Sequence, residues 1–80
     1  MPTIHQEDGF NFMIYTSDHA PAHVHVFKGG AEIVINLGDA KTGPYIRDQK
    51  DMKKKSARKA VHLTEERQEF FLEKWSEIHG

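Results

Sequence analysis

The chain has 80 residues, of which 38% are hydrophobic and 29% charged, with no cysteine and a formal net charge of −1. That length holds one domain, spanning residues 1–80, and the composition is that of a folded soluble chain. The lack of cysteine excludes disulfide staples and thiolate metal centres and fits a reducing compartment. No apolar run approaches the roughly 20 residues of a membrane helix. Met1-Pro2-Thr3-Ile4 shows neither a basic region nor an apolar signal core. A cytoplasmic protein with no membrane partner is therefore expected. A core this small, without staples, also favours pairing with a second copy or with another protein.

In chain order, Ile4 to Glu7 and Phe10 to Tyr15 read as strands. Asp8-Gly9 between them suits a two-residue turn whose central positions need positive φ. Ser17 to Pro21 reads as a loop, because Pro21 cannot donate to a sheet ladder and biases Ala20 towards extended geometry. Ala22 to Lys28, Gly29-Gly30 and Ala31 to Leu37 form the clearest unit, a hairpin closed by the two glycines. In that register Lys28 meets Ala31, Val26 faces Ile33 and Val24 faces Ile35, giving one aliphatic face. Phe27 meets Glu32, His25 meets Val34 and His23 meets Asn36 on the other. A slip of one residue would spoil both faces together.

Gly38 to Gly43 reads as loop and Pro44 to Arg47 as a short edge strand, which places the strands within about residues 2–47. The pattern turns helical over about 51–79. Ala57, Val61, Thr64, Gln68, Phe71, Trp75 and Ile78 recur at steps of four and three, widened by Ala60 and Leu72. The middle of this stripe is weakly apolar, so it fits one helix with a soft point or a helix pair broken near Leu63-Thr64. Gly80 stands where a C-terminal cap residue would. The fold class expected is α+β: an antiparallel β-meander of three to five strands, packed by a C-terminal helix or helix pair. The Phe71-Trp75-Ile78 stripe is the expected cover for the aliphatic face.

Two features carry candidate chemistry. Asp18-His19-Ala20-Pro21-Ala22-His23-Val24-His25 gathers three histidines and a carboxylate. His23 and His25, two apart on a strand, project from one face, with Glu32 and Asn36 on the neighbouring strand placed to orient an imidazole. His19, His23 and His25 are therefore candidate acids or bases. A histidine pair of this spacing is also what a half-exposed sheet face shows, with Asp18 merely capping its turn. The spacing also suits two imidazoles on one metal ion, with His19 or Asp18 folding back from the loop, but it is not a specific metal signature, so no metal ligand set is assigned and no cofactor is expected.

The second feature is charge. Residues 45–60 carry seven basic and two acidic side chains, whereas residues 1–44 and 61–80 each carry two and five. Lys53, Lys54, Lys55, Arg58 and Lys59 are candidate contacts to RNA or DNA phosphates. A solvated helix face is the plainer reading of such a run, and few aromatics are interleaved for base stacking. Phe70 falls beside the helical stripe, where it is left over for a partner surface. Gly29-Gly30 is not followed by a phosphate-loop helix.

Met1-Pro2-Thr3-Ile4, the Asp18-His19-x-Pro21-x-His23-Val24-His25-Val26 stretch with Gly29-Gly30, and the tail from Glu69 to Gly80 together resemble the bacterial "domain of unknown function 4160" family. The resemblance covers essentially the whole chain. Members often carry proline where this chain has Ala20 and Ala22, a departure that leaves every polar residue of the motif in place. The resemblance implies a small bacterial cytoplasmic protein encoded beside a small cognate protein, in a two-gene arrangement of toxin–antitoxin type. The resemblance implies no activity; the residues themselves give three expected functions, in order: a module binding protein or nucleic acid, a small histidine-dependent ribonuclease-like enzyme, and a histidine metal-binding domain.

Overall fold

A computed structural model describes residues 3–79. Five strands come first: β1 (Thr3–Glu7), β2 (Phe10–Met13), β3 (His23–Lys28), β4 (Ala31–Asn36) and β5 (Tyr45–Lys50). They form one antiparallel sheet in the order β1-β2-β3-β4-β5. Two helices follow, α1 (Lys54–Glu66) and α2 (Gln68–His79). The α+β meander with a helix pair is thus the observed architecture. No helix among the described residues is long and apolar enough to cross a membrane. The expected cap at Gly80 lies outside the described residues.

The turns follow from local chemistry. Asp8 and Gly9 have φ of 52° and 84°, the doubly positive pair that a tight β1–β2 hairpin needs and that aspartate and glycine tolerate. The β3–β4 hairpin has the register read from the sequence at all six pairs, from His23 opposite Asn36 to Lys28 opposite Ala31. One sheet face therefore carries Val24, Val26, Ile33 and Ile35, each 0% exposed. Phe12 extends this face onto β2 by pairing with Val26.

The cover differs from the expected stripe. Ala57, Ala60 and Leu63 of α1 and Phe71 of α2 are buried in the core with those strands, while Trp75 and Ile78 are only partly buried at its margin. Leu63, absent from the expected stripe, is buried, whereas Val61 is half-buried. Short alanine side chains let α1 lie close to the sheet. Phe71 then fills the remaining depth against Phe12, with ring centroids 5.0 Å apart. Thr64 is fully buried, and its hydroxyl is satisfied by donating to the Ala60 carbonyl at 2.8 Å, so the weak middle of the stripe needs no break.

The helices instead part at Arg67, which has φ −112° and ψ 16°. Arg67 Nε and Nη2 each donate to a Glu7 carboxylate oxygen at 3.1 Å. Next to it, the Gln68 amide donates to the carbonyls of Leu37 and Asp39 at 2.7 and 2.9 Å. The joint is therefore pinned to β1 on one side and to the loop after β4 on the other, which is where a bend costs least. In that loop Gly38 has φ 65°, and a Cβ there would collide with the Thr42 carbonyl oxygen.

Other boundaries also move. β2 ends at Met13 rather than Tyr15, because Asp18 and Tyr15 close a turn there. β5 begins one residue after Pro44 and runs three residues past Arg47, and α1 starts at Lys54 rather than near Asp51. Between Val34 and Ile35 the β4–β5 register shifts: Val34 pairs with Asp48 and Ile35 with Ile46, so Arg47 between them is the extra residue of a β-bulge.

Phe71→Ala is expected to lower unfolding free energy by about 3–5 kcal/mol, as for other fully buried phenylalanines, measured as a shift in the urea midpoint with an unchanged slope.

Candidate histidine–carboxylate site

The site lies on the sheet face opposite α1, where strand alternation puts His23 and His25. Its carboxylate comes from the loop after β2. Asp18 accepts the Tyr15 backbone N–H at 3.0 Å through Oδ2 and donates its own N–H to the Tyr15 carbonyl at 3.1 Å. This reciprocal pair closes the loop and aims the carboxylate at β3. Capping, the plainer role foreseen for Asp18, is thus present, but the same carboxylate also reaches both imidazoles. His25 Nε2 lies 3.1 Å from Asp18 Oδ2, and His23 Nε2 lies 3.5 Å from the same oxygen.

Each imidazole is held at its other nitrogen. His23 Nδ1 is 2.8 Å from the Pro21 carbonyl oxygen, and His25 Nδ1 is 3.4 Å from Glu32 Oε2. Glu32 therefore does orient an imidazole, as its place on β4 suggested. Asn36 does not; its amide donates to the Tyr45 hydroxyl at 3.1 Å. Aromatic walls complete the setting. His25 meets the Tyr15 ring at a centroid distance of 4.6 Å, and His23 meets the Trp75 indole at 5.2 Å. His23 is accordingly only 4% exposed, deeper than a half-exposed sheet face would place it, because Trp75 reaches over the start of β3.

Burial pushes the Asp18 carboxyl upward, but the Tyr15 N–H, the hydrogen bond with His25 and the electrostatic influence of the two neighbouring imidazoles outweigh it and hold Asp18 below the ordinary aspartate range. Asp18 therefore stays ionised between its two imidazole neighbours.

His19 is exposed at the rim of the same cleft and is not part of the three-residue cluster formed by Asp18, His23 and His25. Arg47 and Asp48 line the opposite rim. The bulge turns the Arg47 guanidinium inward, with Nη1 3.5 Å from His23 Nδ1. In the sequence Arg47 is one of the seven basic residues of the 45–60 block, with nothing to set it apart, since a bulge with no glycine leaves no mark in the residue pattern. The remaining candidates lie elsewhere. Lys53, Lys54, Lys55, Arg58 and Lys59 are all exposed at the start of α1 and do not line the cleft. Lys59 lies 3.6 Å from Asp8 across solvent, a contact of little energetic weight. Phe70 is 38% exposed, as its position beside the stripe implied; Tyr45 and Ile46 on β5 are the other large exposed apolar side chains among the described residues.

The molecule is thus a small α+β domain with α1 on one face of a meander and a histidine–carboxylate cleft, flanked by Trp75 of α2, on the other. The family model described as "Domain of unknown function (DUF4160)" matches residues 9–76, and the chain belongs to that family. Neither a curated protein nor a solved structure is found to match it.

Because the Asp18 carboxyl is depressed in the folded state, its contribution to stability is complete above the unfolded-state value and is lost as pH falls through the folded one. Asp18→Asn is therefore expected to be less stable than the parent at neutral pH. That gap should narrow as urea midpoints are followed down through the carboxylate range; a gap constant with pH would contradict the assignment.

Proposed function

We propose that the protein is a nucleic-acid-binding module whose ligand runs along the β5 edge, from the histidine cleft to the start of α1. The observation that carries this reading is the bulge at Arg47, which takes one guanidinium out of the ladder and sets it at the cleft mouth. The same strand ends at Lys50 and leads directly into Lys53, Lys54 and Lys55, with Arg58 and Lys59 exposed one turn further on. A bulged, solvent-facing edge strand followed by a basic helix start offers successive phosphates a line of cations, and guanidinium suits a bidentate grip on one of them. The acidic flanks of the chain leave this edge as its main basic surface.

A second reading concerns the same ligand. His23, His25 and Arg47 sit together in one open cleft, so a phosphodiester held by Arg47 would have an imidazole within reach for proton transfer and a cation beside its developing charge. Only Arg47 of the basic residues is placed for that task, which moves the phosphate-holding role away from the lysines.

Fluorescence anisotropy with a labelled RNA hairpin, over a series of salt concentrations, tests the first reading. Neutralising Lys54, Lys55 and Arg58 together is expected to weaken binding roughly tenfold or more and to flatten the slope of log affinity against log salt by about 2, since each phosphate contact contributes about 0.7–0.9. An unchanged slope would remove the α1 segment from the interface. Gel analysis of the same mixtures tests the second: cleavage present in the parent should be absent in His25→Ala with circular dichroism unchanged, and an unaltered rate would sink it.

A further inference from the structure

We propose that Asp18, His23 and His25 form a binding site for one divalent transition-metal ion of the zinc class. The argument starts from the Pro21 carbonyl. A carbonyl oxygen only accepts, so a ring nitrogen 2.8 Å from it must donate. His23 therefore carries its proton on Nδ1. Arg47 Nη1 would need the same nitrogen as an acceptor, but at 3.5 Å it is much the longer contact, and the 2.8 Å Pro21 contact sets the tautomer. In the neutral ring the lone pair then sits on Nε2, and Nε2 points at Asp18 from 3.5 Å.

His25 repeats the arrangement. Its Nδ1 faces the Glu32 carboxylate at 3.4 Å, and its Nε2 faces both Asp18 oxygens at 3.1 and 3.2 Å. In the tautomer that directs Nδ1–H to Glu32, the Nε2 lone pair also faces Asp18. Two nitrogen lone pairs converging on one ionised carboxylate repel one another unless a cation lies between them. A metal ion supplies that cation.

Two of the three ligand separations suit one. Tetrahedral ligands on bonds of about 2.0–2.1 Å stand about 3.3 Å apart, and the two imidazole–carboxylate separations, 3.1 and 3.5 Å, bracket that value. The three candidate ligand atoms all lie within 4.8 Å of one another. Two imidazoles and a carboxylate, without thiolate, is a donor set for borderline ions such as zinc, cobalt and nickel rather than for calcium or magnesium. The outer contacts are those of metal-bound histidines, one ring N–H to a backbone carbonyl and one to a carboxylate, which fix tautomer and ring plane together. Three protein ligands on the wall of an open cleft leave a coordination position facing solvent, as in reactive rather than closed structural zinc sites. Arg47 at the rim stands where an anion bound to that position would be met.

The rival is a plain ion pair, with a protonated imidazole lying between carboxylates and no affinity for metal. Titration calorimetry of the full chain, stripped with chelator and free of nucleic acid, separates the two whatever the outcome of the RNA experiments. Zinc chloride is expected to give one ion per chain with micromolar or tighter affinity, and cobalt(II) to give visible absorption of tetrahedral type. Asp18→Asn and His25→Gln should each abolish the isotherm, while His62→Ala should leave it intact, since that exposed helix histidine has only Glu65 and Glu66 nearby at 3.8 Å. Should the site variants fail to fold, imidazole nitrogen resonances of the parent chain give the answer, with zinc shifting Nε2 of His23 and His25. No heat at micromolar zinc, unchanged affinity in a folded Asp18→Asn, or shifts confined to other histidines would overturn the proposal.

Discussion

The pairing of β3 with β4 is the constraint on which the rest of the molecule depends. Six consecutive residue pairs close on the Gly29-Gly30 turn. Because side chains alternate, that one register sends valines and isoleucines to the helices and both histidines to the other face. Each fully buried aliphatic side chain of the first set contributes about 1.5–3 kcal/mol, so a slipped register would forfeit several of these contributions together. The geometry of the cleft is in this sense maintained by the core on the far side of the sheet.

What the strand supplies, the loop before it completes. Two imidazoles side by side on a strand have no inherent partner. They acquire one because Asp18 is caught in a turn with Tyr15, so its carboxylate is held in place by backbone rather than by a long flexible side chain. Pro21 then gives its carbonyl to His23, and Glu32 reaches His25 across the hairpin. Trp75, from the far end of the chain, roofs the start of β3. The cleft thus draws on β2's exit loop, two strands, a bulge in a third and the second helix. Its formation is tied to completion of the whole fold.

Much of this was legible in the residues, for reasons that differ by element. The hairpin register could be read because period-two alternation and a paired glycine agree on a single answer. The shared face of His23 and His25 followed from the same alternation, and the reach of Glu32 from its place opposite. The helix break was misplaced because a threonine looks weak in an apolar stripe, whereas Thr64 satisfies itself on Ala60 and the bend falls where Arg67 and Gln68 find distant partners. Those partners lie about 30 and 60 residues away in sequence, beyond the reach of local pattern. Arg47 was hidden for a related reason: nothing in Tyr-Ile-Arg-Asp-Gln-Lys states that one residue will be left out of the ladder.

That omission bears on how the protein behaves at high concentration. β5 is the last strand of the sheet, carries exposed Tyr45 and Ile46, and has one edge of its backbone unpaired within the sheet. Such an edge is a template on which other extended chains can stack. An irregular rung part-way along, with Arg47, Asp48 and Lys50 around it, denies an incoming strand the even spacing it needs. The bulge beside the cleft thus also acts as a guard against cross-β growth, and a variant with Arg47 deleted would trade the irregular rung for a regular, sticky edge.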